Sequence, residues 1–120
     1  MSIKTLTLTL LAATLLIPSL QPLMAVQGKD EKLFQEALNL YKSLQTNPTQ
    51  ITNYEIWDTI AQAFYSIYRT YPLSPKAPTS LFISGKMYEE MGIRFNSREN
   101  LEKSIELSRE LVKVFPNSNL

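Results

Sequence analysis

Tyr71-Pro72-Leu73-Ser74 recurs as Phe115-Pro116-Asn117-Ser118, 44 residues further along a chain of 120. In both places an aromatic residue closes a helical pattern and a proline, which cannot continue a helix, stops it. Upstream of the first copy, Ile56, Trp57, Ile60, Ala61, Phe64, Ile67, Tyr68 and Tyr71 follow a helical period. At about 100° per residue these positions cover roughly half of the helix circumference, which predicts contact with two neighbours instead of one. Thr52 and Glu55 form a T-x-x-E capping box, so this helix is expected to open at Thr52.

The same reading extends in both directions. Glu31 to Gln45 predicts an earlier helix, with Leu33, Phe34, Ala37, Leu38, Tyr41 and Leu44 on its apolar side and Thr46-Asn47-Pro48-Thr49 as its stop. A short polar lead over Val26 to Asp30 precedes it. Downstream, Ser74 as N-cap with Pro75 in the first position predicts a third helix, or one whose start slips to Pro78. That helix carries Leu81, Phe82, Gly85, Tyr88, Met91 and Phe95. Asn96-Ser97-Arg98-Glu99 offers a further cap, and a fourth helix is expected from about Glu99 to Phe115, with Leu101, Ile105, Leu111, Val112 and Phe115 as its apolar positions. Sustained period-two alternation is absent, so no strand is expected.

The helices pair across the repeat. Ile60, Phe64 and Ile67 stand where the second copy has Ser104, Ser108 and Leu111. Phe34, Leu38 and Tyr41 stand where it has Leu81, Gly85 and Tyr88. The expected fold is therefore all-α, two antiparallel helical hairpins stacked side by side.

The first residues read as a secretory signal. Lys4 gives a basic start, Leu6 to Ile17 is an apolar run broken only by threonines, and Pro18 and Pro22 precede the small-residue site Leu23-Met24-Ala25. The run is shorter than the roughly 20 apolar residues of a spanning helix. Residues 1–25 are accordingly expected to be a signal peptide, and 26–120 the helical domain, placed in the periplasm or secreted. Beyond such a cut the chain holds 11 acidic and 11 basic residues. Formal neutrality argues against nucleic acid, whose phosphates call for a basic face. With no cysteine, disulfides cannot brace the domain, and its stability rests on packed apolar faces.

Residues 81–88 resemble the first helix of a tetratricopeptide repeat, with Gly85 at the small position where helices approach closely and Pro72 and Pro116 at the terminal proline. Both turns inside the hairpins are longer than in that repeat, and Ser104 and Ser108 replace its usual alanine and aromatic residue. A wider pattern is similar to the tetratricopeptide-like region that precedes the catalytic domain in some bacterial N-acetylmuramoyl-L-alanine amidases. It runs Trp57-x6-Phe64-x2-Ile67-x3-Tyr71-Pro72-x-Ser74-Pro75-x-Ala77, then Gly85-x2-Tyr88, then Leu101-x3-Ile105 and Phe115-Pro116. Ser74 to Pro78 also resembles the periplasmic repeat proteins of the Tol-Pal and outer-membrane assembly systems. The resemblance implies an exported interaction or assembly module of the cell envelope. The alternative it implies is the non-catalytic N-terminal part of a zinc-dependent amidase acting on peptidoglycan.

No cofactor, metal or catalytic residue is assigned. A zinc amidase draws on histidine ligands, and this chain has neither His nor Cys. Its three glycines, Gly28, Gly85 and Gly92, form no phosphate-cradling loop. The adjacent Glu89 and Glu90 diverge on a helix, and Glu99, Glu102, Glu106 and Glu110 interleave with Lys103, Arg109 and Lys113 as a solvated, ion-paired face. Trp57, Phe64, Tyr65, Tyr68 and Tyr71 read as core, with Tyr54 and Tyr65 at its edge.

Two surfaces are expected to matter. In tetratricopeptide folds the first helix of each hairpin lines a concave groove, which the resemblance carries to Lys32, Gln35, Asn39 and Lys42 and to Thr79, Phe82, Lys86 and Glu89. The second is an uncovered end, assigned to Leu111, Val112 and Phe115 and extended by Leu107 and Val114. Stacked repeats usually number three or more. Two hairpins alone are expected to seek cover from an envelope protein or peptide, or from a second copy.

Overall fold

The computed structural model describes residues 28–120, and the expected signal peptide lies outside the described residues. The described chain is all-α, four helices packed in sequence-adjacent pairs. These are α1 (28–46), α2 (Tyr54–Thr70), α3 (Ala77–Arg94) and α4 (Arg98–Val114).

The 44-residue repeat is visible in backbone geometry as well as in sequence. Asn53 caps α2 by accepting from the amide of Glu55, and Ser97, at the equivalent place, caps α4 by accepting from the amide of Asn100. At the other ends, Tyr71 (φ −126°, ψ 64°) and Phe115 (φ −125°, ψ 62°) have nearly the same conformation. Their amides donate to Ile67 and Leu111. The helices α2 and α4 therefore begin and end alike.

Three helix starts differ from expectation for local reasons. Thr52 does not cap α2, because its hydroxyl donates to the Thr49 carbonyl within a turn organised by Asn47, whose side-chain oxygen accepts from the amides of Thr49 and Gln50. The helix opens one residue later behind Asn53. Ser74 caps a turn instead of α3: its hydroxyl accepts from Lys76 and its carbonyl from Ala77. Helix α3 then starts at Ala77, with Pro78 in the first turn, where a missing amide costs nothing. The lead before α1 is helical from residue 28, and Asp30 within it is buried.

The turn between α3 and α4 is the tightest. Asn96 takes a left-handed conformation (φ 50°), which asparagine tolerates better than most residues, and the amide of Ser97 reaches back to the carbonyl of Gly92 at 2.9 Å. Gly92, not Gly85, is the position of close approach. A methyl group on Gly92 would meet Leu101 side-chain carbons at 2.5 Å and its backbone nitrogen at 3.1 Å, whereas one on Gly85 would meet only ordinary contacts from 3.5 Å outward.

The core runs through both pairs and the joint between them. Phe64 of α2 is fully buried and takes edge-on contacts from Phe34 (5.9 Å between ring centres) and Tyr41 (6.3 Å) of α1. On the neighbouring side of α2, Trp57 and Ala61 are covered by α3: the Arg94 guanidinium lies 5.3 Å over the Trp57 ring, and the Ser84 hydroxyl donates to the Ala61 carbonyl at 2.8 Å. The Trp57 indole N–H donates to the Ile51 carbonyl at 2.9 Å, so its one polar group is satisfied inside. Trp57 and Tyr88 are both buried, as their place on the apolar stripes predicts. Helix α2 thus touches α1 on one side and α3 on the other, as the width of its apolar arc requires.

Helix α4 closes the second pair and reaches back to α2. Tyr54 bonds to Asn100, which donates to its oxygen at 3.1 Å, and Tyr68 donates to Glu110 at 2.8 Å and packs edge-on against Phe115 at 5.8 Å. The Lys103 ammonium sits 5.8 Å from the Tyr65 ring and 5.9 Å from that of Tyr88. Lys103 is therefore a cation–π contact to two rings. On α4 the ion pair formed is Arg98–Glu102 at 3.1 Å.

Candidate functional site

The outer side of the α3/α4 pair carries an open groove of about 820 Å³. Leu101, Ile105 and Val112 supply its apolar floor, Ser104 and Ser108 widen it, and Glu89, Arg109 and Lys113 rim it. Leu101 is 38% exposed, Ile105 52% and Val112 70%. The serines matter because small side chains leave room. Ser108 also turns its hydroxyl back onto the Ser104 carbonyl at 2.9 Å, so it presents a methylene more than a free polar group.

The composition of this face differs from the expected one. Leu111 and Leu107 are buried, and Phe115 is half-buried against Tyr68. Of the expected set Val112 faces outward, and Val114 is exposed further along. The reason is helix phase. Gly85 of α3 lies against Leu107, so Leu107 and Leu111 point into the pair, Leu101 stands at its edge against Gly92, and Ile105 and Val112 point out.

The eight residues expected to share a concave groove are divided. Lys32, Gln35, Asn39 and Lys42 are exposed along α1, where Gln35 donates to Asn39 at 3.1 Å. On α3, Thr79 is half-buried, and Phe82 and Lys86 line a cleft of about 20 Å³ against Leu107 and Leu111 of α4. Lys86 also pairs with Glu89 at 3.1 Å, and Glu89 lines the α4 groove. Helix α1 instead meets the residue that precedes α3: Glu31 pairs with Lys76 at 3.5 Å, and Lys76 lies 5.0 Å over the Phe34 ring.

Comparison with protein families, with curated proteins and with solved structures finds no match. The groove has to be understood from its own geometry.

The repeat supplies that geometry. Shifted by 44 residues, Leu101, Ile105, Ser108 and Val112 occupy the places of Trp57, Ala61, Phe64 and Tyr68 in α2. All four of those α2 residues are buried, and Ala61 and Trp57 are covered directly by α3. At Leu101 and Ile105 the groove is thus the second copy of positions that, in the first copy, receive a helix. Leu101 and Ile105, expected only as apolar positions of the fourth helix, belong to this exposed face, and alignment of the two copies carries that signal.

Among the described residues no group of His, Cys, Asp and Glu is disposed to hold a metal ion, and no helix is long and apolar enough to cross a membrane. Tyr54 is partly exposed but engaged with Phe95 (5.2 Å between ring centres) and Asn100. Two phenols are strongly perturbed. Burial, with the hydrogen bond to Glu110, pushes Tyr68 up to about 12, and burial, with the Asp58 carboxylate nearby, pushes Tyr88 up to about 12. Both lie inside the helix joint, so they bear on stability.

Proposed function

We propose that this protein is an assembly module of tetratricopeptide-like helical hairpins that binds a partner helix in the groove on α3 and α4. The observation that carries the reading is the equivalence of the exposed Leu101 and Ile105 to Trp57 and Ala61, the α2 residues that α3 covers. A helix entering the groove would bury exposed apolar side chains, a gain of roughly 25 cal/mol per Å² of area removed from water. Arg109, Lys113 and Glu89 on the rim would fix its register and orientation more than its affinity. The reading assigns the chain no reaction of its own. Lys4, the run from Leu6 to Ile17 and the following prolines support an exported, envelope location.

The test is a photo-crosslinking residue placed at Ile105 in the cell that makes the protein, with the same residue at Leu73 as control. Leu73 is 98% exposed in the turn between α2 and α3 and lies outside the groove. The expected result is an adduct of defined mass from Ile105 and none from Leu73. Equal labelling at both positions, or none at Ile105, would remove the groove as the working surface.

A further inference from the structure

The joint between the two helix pairs has two sides, and both are repeated at the ends of the chain. Shifted by 47 residues, Leu33, Ala37 and Leu40 of α1 occupy the places of Ser80, Ser84 and Met87 of α3. Those three α3 residues are fully buried, and Ser84 donates to the Ala61 carbonyl at the centre of the joint. On α1 the equivalent side carries leucines at the water surface, Leu33 at 36% and Leu40 at 53% exposure, in a cleft of about 300 Å³ also lined by Ala63 and Ile67 of α2.

We propose that the occupant of the α3/α4 groove is α1 of a second copy of this chain, joined head to tail. The inference rests on the docking role assigned to the groove above. One end of the molecule has the face that takes a helix and the other end has the helix face that is taken, each in the position its internal counterpart uses. By the same register Ala37, at the floor of the α1 cleft and only 2% exposed, would stand opposite Ile105 as Ser84 stands opposite Ala61, with the exposed Leu33 and Leu40 on either side making the contact. The charges agree as well. Glu36 is the charged residue of the α1 cleft, while Arg109 and Lys113 give the groove rim a net positive balance over Glu89. Such an interface uses different patches on the two copies, so each added copy leaves a free groove and a free α1, and the assembly grows by addition unless its ends meet in a ring.

The experiment is sedimentation velocity over a concentration series on the purified protein and on two variants, Leu40→Lys and Ile105→Lys. Both sites are about half exposed, and helical circular dichroism checks that the variants fold. The wild type is expected to show a mass that rises continuously with concentration, and each variant alone to stay a monomer. An equimolar mixture of the variants is expected to give a species of twice the monomer mass and no larger one, because the intact groove of the first meets the intact α1 of the second. A wild type that is monomeric throughout overturns the proposal, as does a fixed dimer that either variant forms alone. If the wild type is monomeric while Ile105 crosslinks to a different protein in the cell, or to the N-terminal segment of the chain itself, the second copy is excluded and the groove retains its docking role.

Discussion

The Ser84 hydroxyl donates to the carbonyl of Ala61 at 2.8 Å, a side-chain to backbone bond between α3 and α2 with no water-exposed atom at either residue. It sits in the middle of the joint that holds the two helix pairs together. Ser84→Ala should cost about 0.5–1.5 kcal/mol, read as a lower denaturant midpoint with an unchanged slope. An unchanged midpoint would mean that the joint is held by its apolar contacts alone.

The two glycines of α3 should respond in opposite directions. Gly92→Ala drives a methyl group into Leu101 and should cost about 1–3 kcal/mol. Gly85→Ala finds ordinary contact distances and should gain up to about 1 kcal/mol from better helix propensity. Thermal melts of the two variants decide it. Equal destabilisation by both would show α3 and α4 to be closer at Gly85 than described.

Sequence periodicity carried most of the fold. The helix over Tyr54–Thr70 and the burial of Trp57 and Tyr88 follow from apolar spacing, because an arc that wide can only be a core. Cap positions were less legible. Thr52 and Asn53 are both competent caps for α2, and Asn53 serves because the preceding turn engages the Thr52 hydroxyl; the turn before α3 engages Ser74 in the same way. Leu111 and Phe115 are covered, contrary to expectation, because the phase of α4 depends on how α3 approaches, which the apolar spacing of α4 alone does not show.

Stability should fall at alkaline pH. Tyr68 and Tyr88 are both raised to about 12 from the ordinary 10, so the folded state holds their protons more tightly than the unfolded chain does. Their contribution is present in full below pH 10 and is lost as pH rises towards 12. Tyrosinate absorbance should therefore show part of the phenols ionising late, together with loss of helical circular dichroism. Titration of all six tyrosines near their ordinary value, with helix content intact, would contradict the burial of these two.

The sequence of residues 1–25, read as a signal peptide, makes a prediction independent of the fold. N-terminal sequencing of protein recovered from the envelope fraction should begin near Val26, after the Leu23-Met24-Ala25 site. Recovery of chains starting at Met1 from the cytoplasm would contradict export.

The docking face itself is most directly tested by cysteine accessibility, which the natural absence of cysteine makes clean. Ile105→Cys, Val112→Cys and Leu73→Cys variants are treated with a thiol reagent, once as dilute purified protein and once in the intact producing cell with a membrane-permeant reagent. The account predicts that Cys at the first two sites reacts readily in dilute solution and is protected in the cell, while the turn position reacts equally in both. Equal reactivity of all three sites in the cell and in dilute solution would mean that nothing covers the groove, and would contradict the account.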